Sequence, residues 1–344
     1  MDQGDEQRSL RRRIIAAAGR TAVRPGPRAC SSKLESVVDG GQQCEAIPQI
    51  RVILTAMRVL IFGATGMLGK ALMRVWKDDE VAGLGSGDAD IRIPEEVEAQ
   101  VQSIRPDWIV LSAAYTDVDG CELNPQLATA VNTFGAVNVA KAAEKLGARL
   151  LFLSSDYVFD GTNTTPYKAS DLPKPINSYG ESKAEAEKKI LEILPQGCIV
   201  RTSWLFGAEG KCFPDTILKL AATRPKIEVV NDQRGCPTYT DDLASAIVQL
   251  CRANAAGIIH ATNTGDCTWY DFAREVLEQA GLSTSVFPTT TDKFVRPANR
   301  PRYSVLSTSS LLAHGISMRP WKQTISSYLA QRGMPICPPP GADH

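Results

Sequence analysis

The sequence predicts an α/β fold: a doubly wound parallel sheet followed by a smaller C-terminal α/β lobe. Three observations predict it. From Arg58 onward, short apolar runs alternate with segments of helical period, the pattern of a sheet covered on both faces. The first run passes straight into a glycine-rich turn, Gly63-Ala64-Thr65-Gly66-Met67-Leu68-Gly69. A tyrosine and a lysine four residues apart, Tyr179 and Lys183, come after the fourth run.

The elements are taken in chain order. Arg58-Val59-Leu60-Ile61-Phe62 reads as a buried parallel strand. A helix is expected from Met67 to Trp76, and Val81–Leu84 is the second strand. Pro94-Glu95-Glu96 opens a helix with proline and acids in its first turn, where the backbone dipole favours them. Asp107–Leu111 is the third strand. One long helix is expected from about Pro125 to Leu146, closed by Gly147. Arg149–Ser154 is the fourth strand, the helix carrying Tyr179 and Lys183 runs to Leu194, and Cys198–Arg201 is the fifth strand. Beyond about Leu205 the strands shorten, with helices near 213–222, 241–252, 269–280 and 321–331. The expected division is a dinucleotide-binding core over 57–205 and a smaller substrate-binding lobe over 206–333, some of whose segments return to the core.

Residues 1–56 differ in character from the rest of the chain. They are rich in arginine, with no acid between Glu6 and Glu35. They read as an organelle-targeting arm or as upstream sequence read through to an early start. The second reading is preferred because Met57 directly precedes the first strand. This arm and the tail 334–344, with its Pro338-Pro339-Pro340 run, are expected to be disordered.

Composition narrows the function classes. Hydrophobic residues make up 43% and charged residues 22%, ordinary for a soluble domain. The formal net charge is zero, so there is no electrostatic footprint for nucleic acid. No apolar run is long enough for a bilayer. The nine cysteines are scattered without a Cys-x-x-Cys and read as reduced thiols of a cytoplasmic protein. Three histidines give little support to a zinc site or a Ser-His-Asp triad.

The candidate chemistry starts at the turn. Gly63, Gly66 and Gly69, with Thr65, Met67 and Leu68 between them, lead from a strand into a helix. Without a Cβ, such positions let backbone amides approach a pyrophosphate at a helix N-terminus. The spacing differs from Gly-x-Gly-x-x-Gly, so the strand-to-helix context carries the reading. The second strand ends in Leu84-Gly85-Ser86 rather than in an acid. A 2′-phosphate is therefore tolerated and Ser86 can donate to it. Arg58 and Arg92 are further candidates, though a solvated surface charge is the preferred reading for both. Asp90-Ile91 is a candidate for an adenine pocket, against ordinary loop capping. Ala113-Ala114-Tyr115, past the third strand, is small enough for a cofactor to pass, and Tyr115 reads as a rim residue. Asn132 needs buried partners and either braces the site or makes a structural hydrogen bond.

Ser155-Asp156-Tyr157 closes the fourth strand, at the sheet edge where such folds bind ligands. Tyr179 and Lys183 share one helix face. A phenol titrates near about 10, and a neighbouring ammonium would lower that value. Tyr-x-x-x-Lys alone is common; its order after the glycine turn and Ser155 makes it informative. A nicotinamide beside a proton-donating phenol is the chemistry of carbonyl reduction.

Five blocks in order carry a resemblance: Ser154–Gly161, Tyr179–Lys183, Arg201–Gly207, Asp232–Thr238 and Arg300–Ser304. With them, roughly 57–333 resembles the extended short-chain dehydrogenase/reductases of Rossmann type, and more narrowly the dTDP-4-dehydrorhamnose reductase family. The resemblance implies NADPH, with NADH possible, delivering hydride to C4 of a dTDP-4-keto sugar, dTDP-4-dehydro-L-rhamnose. It implies Tyr179 as proton donor, Lys183 lowering the phenol pKa and holding the ribose, and Ser155 polarising the carbonyl where the family often has threonine. Trp204 would border the sugar pocket, with Asp156, Tyr157, Thr238 and Arg300 as further substrate contacts. Some members place a glutamate after the glycine motif for magnesium at a dimer contact. Lys70 and Ala71 stand there instead, so no metal and a monomer or weak homodimer are expected. Dehydratases of the superfamily carry an Asp-Glu pair where Asp156-Tyr157 stands, which argues against dehydration; an epimerase is less easily separated. The NADP-binding regulatory subunit of methionine adenosyltransferase resembles the same family, so a non-catalytic binding module is the alternative.

Overall fold

The computed structural model describes residues 56–336; the expectations for the N-terminal arm and the end of the tail lie outside them. Six strands form one parallel sheet in the order β2-β1-β3-β4-β5-β10: β1 (Arg58–Phe62), β2 (Glu80–Leu84), β3 (Trp108–Leu111), β4 (Arg149–Ser155), β5 (Cys198–Thr202) and β10 (Gly257–His260). The five expected strands are present. The sixth comes from beyond Leu205 and pairs with β5, Ile259 opposite Val200.

Alternation along the strands sends successive side chains to opposite faces. Val59, Ile61, Leu151, Leu153 and Val200 point one way, against α1 (Met67–Val75) and the later helix Thr240–Arg252. Leu60, Phe62, Ile109, Leu111, Phe152 and Ile199 point the other way, against α2 (Pro94–Ile104) and two further helices, Ala136–Leu146 and Ser178–Ile193. The short helices α3 (Val118–Leu123) and α4 (Pro125–Ala128) precede the first of these. In chain order the later helices are α5 (Ala136–Leu146), α6 (Ser178–Ile193), α7 (Phe213–Ala221), α8 (Thr240–Arg252), α9 (Trp269–Gln279), α10 (Ser309–Leu312) and α11 (Trp321–Gln331).

The single helix expected from Pro125 to Leu146 is a correction. Between α4 and α5, Thr129–Gly135 is wound as a π-helix. Asn132 lies in it, and its buried side chain binds Tyr115 and Ser182. π-Turns of this kind mark functional sites more often than chance.

A second core lies after β5. Phe206, Ile217, Tyr239, Phe272, Ile325 and Tyr328 gather between α7, α9 and α11. Short strand pairs run along its edge: β6 (Leu205–Phe206) with β9 (Thr238–Tyr239), and β8 (Arg234–Gly235) with β11 (Cys267–Thr268). β7 (Lys226–Val230) pairs with β12 (Ser285–Thr289).

Candidate active site

β1 lies between β2 and β3, and the later strands continue on the β3 side only, so the strand order reverses beside β1. Ligands in such sheets enter at the carboxyl ends of the strands at this reversal. A cleft of about 780 Å³ opens there.

Its floor is the glycine turn. Gly63 has φ +92°, and a Cβ there would stand 2.5 Å from the Ala113 amide nitrogen. A Cβ at Gly69 would meet the Gly63 carbonyl oxygen at 2.1 Å, so α1 can pack against the turn only with glycine. At the start of α1, Gly66 caps the helix without a side-chain hydrogen bond, and the first turn carries no acid. Its first amides are thereby left for an anion. Thr65, Met67 and Leu68 also line the cleft.

Ser86, Asp90, Ile91, Ala113 and Ala114 line another wall of the cleft. Arg92 lines it too, and it is the exposed charge expected of it: its side chain is 49% exposed and its guanidinium reaches Asp90 at 2.5 Å. Arg58 pairs instead with Asp107, at the opposite edge of the sheet. The Asp90 carboxylate is held below its ordinary range chiefly by Arg92.

The other end holds the candidate chemistry. Ser155, at the tip of β4, and Tyr179 and Lys183, on α6, all line the cleft with Asp156 and Tyr157. Asn177 caps α6 by accepting the Gly180 amide at 2.8 Å, which fixes where the helix starts and so where Tyr179 stands. Gly180 lies so close to the Tyr157 carbonyl that a Cβ would come within 2.0 Å of it. Asn132 accepts the Tyr115 amide at 2.8 Å and donates to the Tyr115 carbonyl and to Ser182 Oγ, both at 3.0 Å. It therefore ties α6 to the strand end after β3.

Burial governs the electrostatics. Asp156 is buried, accepts from Ser155 Oγ at 2.9 Å and from Ser304 Oγ at 2.6 Å, and is pushed up to about 7 by desolvation. The Tyr179 phenol is raised above its ordinary value, first by burial and then by the Asp156 charge, while Ser155 favours its ionised form. Burial takes the Lys183 amine down to about 7, with Glu187 opposing. Its Nζ lies 3.9 Å from the centre of the Phe152 ring. Lys183 is not among the groups acting on the Tyr179 phenol, which burial raises rather than lowers.

Three expected site residues do not line the cleft. Tyr115 turns its hydroxyl away, over Gly120 of α3. Thr238 is buried behind Trp204, donating to the Cys236 carbonyl at 3.4 Å. Arg300 is pinned to Asp119 at 2.8 Å and to the Ala298 carbonyl at 2.7 Å. Burial raises the Tyr157 phenol, and the Arg300 charge opposes that rise.

Trp204 does line the cleft. Its backbone is left-handed, φ +47°, an uncommon state for a bulky residue that tends to sit at functional sites. The indole stacks on Trp269 with ring centres 3.6 Å apart and planes 8° from parallel. Gly235 leaves the space this needs, since a Cβ there would stand 2.6 Å from the Trp204 ring. Trp269 and Lys211 also line the cleft, and sequence reasoning misses both. The Thr268–Asp271 capping box marks where α9 starts, but nothing local indicates that Trp269 meets Trp204. Among the described residues no His, Cys, Asp and Glu cluster could hold a metal, and no helix is long and apolar enough to cross a membrane.

The RmlD substrate binding domain model matches residues 57–334. A dTDP-4-dehydrorhamnose reductase of Streptomyces griseus is 41% identical over 83% of this chain and 97% of its own length. A dTDP-4-keto-6-deoxy-D-glucose reductase of Streptomyces niveus is 38% identical over 78% and 95%. The crystal structure of a Bacillus anthracis dTDP-4-dehydrorhamnose reductase in complex with NADP superposes with a TM-score of 0.79 at 37% identity, covering 80% of this chain and all of that one. With the glycine turn, Ser155, Tyr179 and Lys183 around one cleft, these likenesses identify the chain as a member of the dTDP-4-dehydrorhamnose reductase family.

Proposed function

We propose that this protein reduces the C4 ketone of dTDP-4-dehydro-L-rhamnose to dTDP-L-rhamnose with NADPH, NADH being a second donor. The observation that carries this reading is one cleft lined at one end by the glycine turn and at the other by Ser155, Tyr179 and Lys183. The dinucleotide, when bound, supplies the hydride. The uncapped α1 N-terminus receives its phosphates, and Ser86 with Arg92 favours a 2′-phosphate in a wall whose one carboxylate, Asp90, is already neutralised by Arg92.

Tyr179 donates the proton to the C4 oxygen. Its raised pKa keeps the phenol protonated at neutral pH, so it is loaded as an acid, and Ser155 beside it stabilises the phenolate that donation leaves. Lys183 holds the ribose by donating to its hydroxyls. Trp204 and Trp269 form an apolar wall for the sugar face.

Support for an enzyme over a binding module comes from the intact proton donor inside the cleft. The Streptomyces niveus relative makes dTDP-4-keto-6-deoxy-D-glucose the second substrate to try. We place the protein in the cytoplasm as a monomer or weak homodimer; six free thiols among the described residues suit a reducing compartment.

The test supplies each dTDP-4-keto sugar with NADPH and follows loss of the reduced-nicotinamide absorbance. Turnover is expected, and Tyr179→Phe should lower kcat by roughly 10²–10⁴ while NADPH affinity stays near wild type. Cofactor binding without turnover on any 4-keto sugar nucleotide would favour the binding module instead.

A further inference from the structure

Behind the site lies a buried charge cluster that the chemistry above does not use. Glu187 stands on α6 one turn beyond Lys183, the spacing at which a carboxylate and an amine pair across a helix face. They do not pair. Both Glu187 oxygens are taken by Arg201 of β5: Nε donates to Oε1 at 2.9 Å and Nη2 to Oε2 at 2.6 Å. The guanidinium is fully buried and the carboxylate 3% exposed. On the far side, Arg201 Nη1 lies 3.5 Å from His260 Nε2, and His260 Nδ1 lies 3.1 Å from the Tyr167 carbonyl. That contact requires Nδ1 to carry the proton and Nε2 to accept. His260 is held neutral, down to about 3, by burial and then by Arg201. The cluster thus sets two basic groups, Arg201 and Lys183, beside one carboxylate, and the carboxylate goes to Arg201.

We propose that Arg201 is a positioning residue: by occupying both oxygens of Glu187 it keeps the Lys183 amine unpaired and free for the ligand entering the cleft. The geometry explains why a buried ion pair sits at the end of β5, where an apolar pair would pack as well. Without Arg201, Glu187 turns one helical turn back and captures Lys183. Without Glu187, the Arg201 charge faces Lys183 unneutralised. Glu187 is the titratable group that acts on the amine; Asp156, Tyr157 and Tyr179 line the same cleft, and His260 lies behind Arg201.

This inference rests on the reading of Lys183 as a cofactor contact, so wild-type binding is measured first. NADPH affinity is titrated against pH by fluorescence, without substrate. If the wild-type protein does not bind NADPH, the proposed function fails before this inference is reached. If it binds, the affinity should fall at alkaline pH as Lys183 loses its proton.

In Arg201→Met, Glu187 acts on Lys183 alone. The alkaline limb should move up by about one pH unit, and affinity at pH 6 should drop about tenfold because most amines are captured. In Glu187→Gln the limb should move down. Each substitution removes one member of the buried pair, so Tm should fall in both; a merely structural role would leave the pH 6 affinity of Arg201→Met, where the amine is protonated, at the wild-type value. Arg201→Lys keeps the charge but loses the fork, which frees one Glu187 oxygen; it is the variant expected to fold in any case, with a smaller upward movement. Limbs that coincide with wild type, or move the same way in Arg201→Met and Glu187→Gln, overturn the proposal.

Discussion

A carboxyl taken out of water to close a strand end shows that burial in its titration. Asp156 is raised from 3.8 to about 7, with burial as the cause. Between those values the folded protein holds a proton that the unfolded chain has released, so stability falls as pH rises through that window. In Asp156→Asn this fall should be missing from Tm measured between pH 4 and pH 7, and a slope equal to wild type would show that another group is responsible. Lys183 works in the opposite sense. Its value is lowered, so between about 7 and 10.5 the unfolded chain binds the extra proton and stability rises with pH. The residue types at these positions were legible in the sequence from their order after the glycine turn. Their charge states were not, because burial sets them.

Among the elements, the strand-turn-helix unit over 58–75 could be read in full: an apolar strand, a turn whose glycines have steric reasons, and a helix start without a competing cap. Gly69→Ala is its sharpest test. The new Cβ meets main-chain atoms of Gly63 and Ala64 that have no room to move, so α1 must shift. Thermal denaturation should report a loss of about 1–3 kcal/mol, with weaker NADPH binding in the surviving fold; an unchanged protein would mean that the turn is softer than its packing implies. The π-helical stretch Thr129–Gly135 was not legible. Its residues are compatible with an ordinary helix, and what unwinds them is the set of hydrogen bonds that Asn132 makes to Tyr115 and Ser182. Trp204 belongs to the same class: its left-handed backbone is held by Trp269 and Gly235, both distant in the chain.

At the scale of the whole molecule, contacts between distant segments tie the last third of the chain to α3. Asp119 of α3 accepts from Arg300 at 2.8 Å, from Arg296 at 2.7 Å and from the Ala298 amide at 3.2 Å. Burial raises its pKa, but these three partners outweigh that and hold the carboxylate below its ordinary range. A depressed acid stabilises the fold above its free value, and that contribution is lost as pH falls through the folded one. Asp119→Asn should therefore cost roughly 1–3 kcal/mol at neutral pH, and the gap to wild type in chemical denaturation should close toward pH 2. A gap independent of pH would assign the loss to packing instead.

The sequence by itself determined the alternation of strands and helices, the glycine turn, and the set Ser155, Tyr179 and Lys183, because each depends on local geometry or on order along the chain. Only the tertiary structure decided that β10 joins the sheet beside β5, that Arg300, Thr238 and the Tyr115 ring stand off the cleft, and that Trp269 and Lys211 enter it. It also decided that Glu187 belongs to Arg201 rather than to Lys183. These are pairings across long stretches of chain, and which partner wins is set by burial and reach, two quantities that no window of sequence contains.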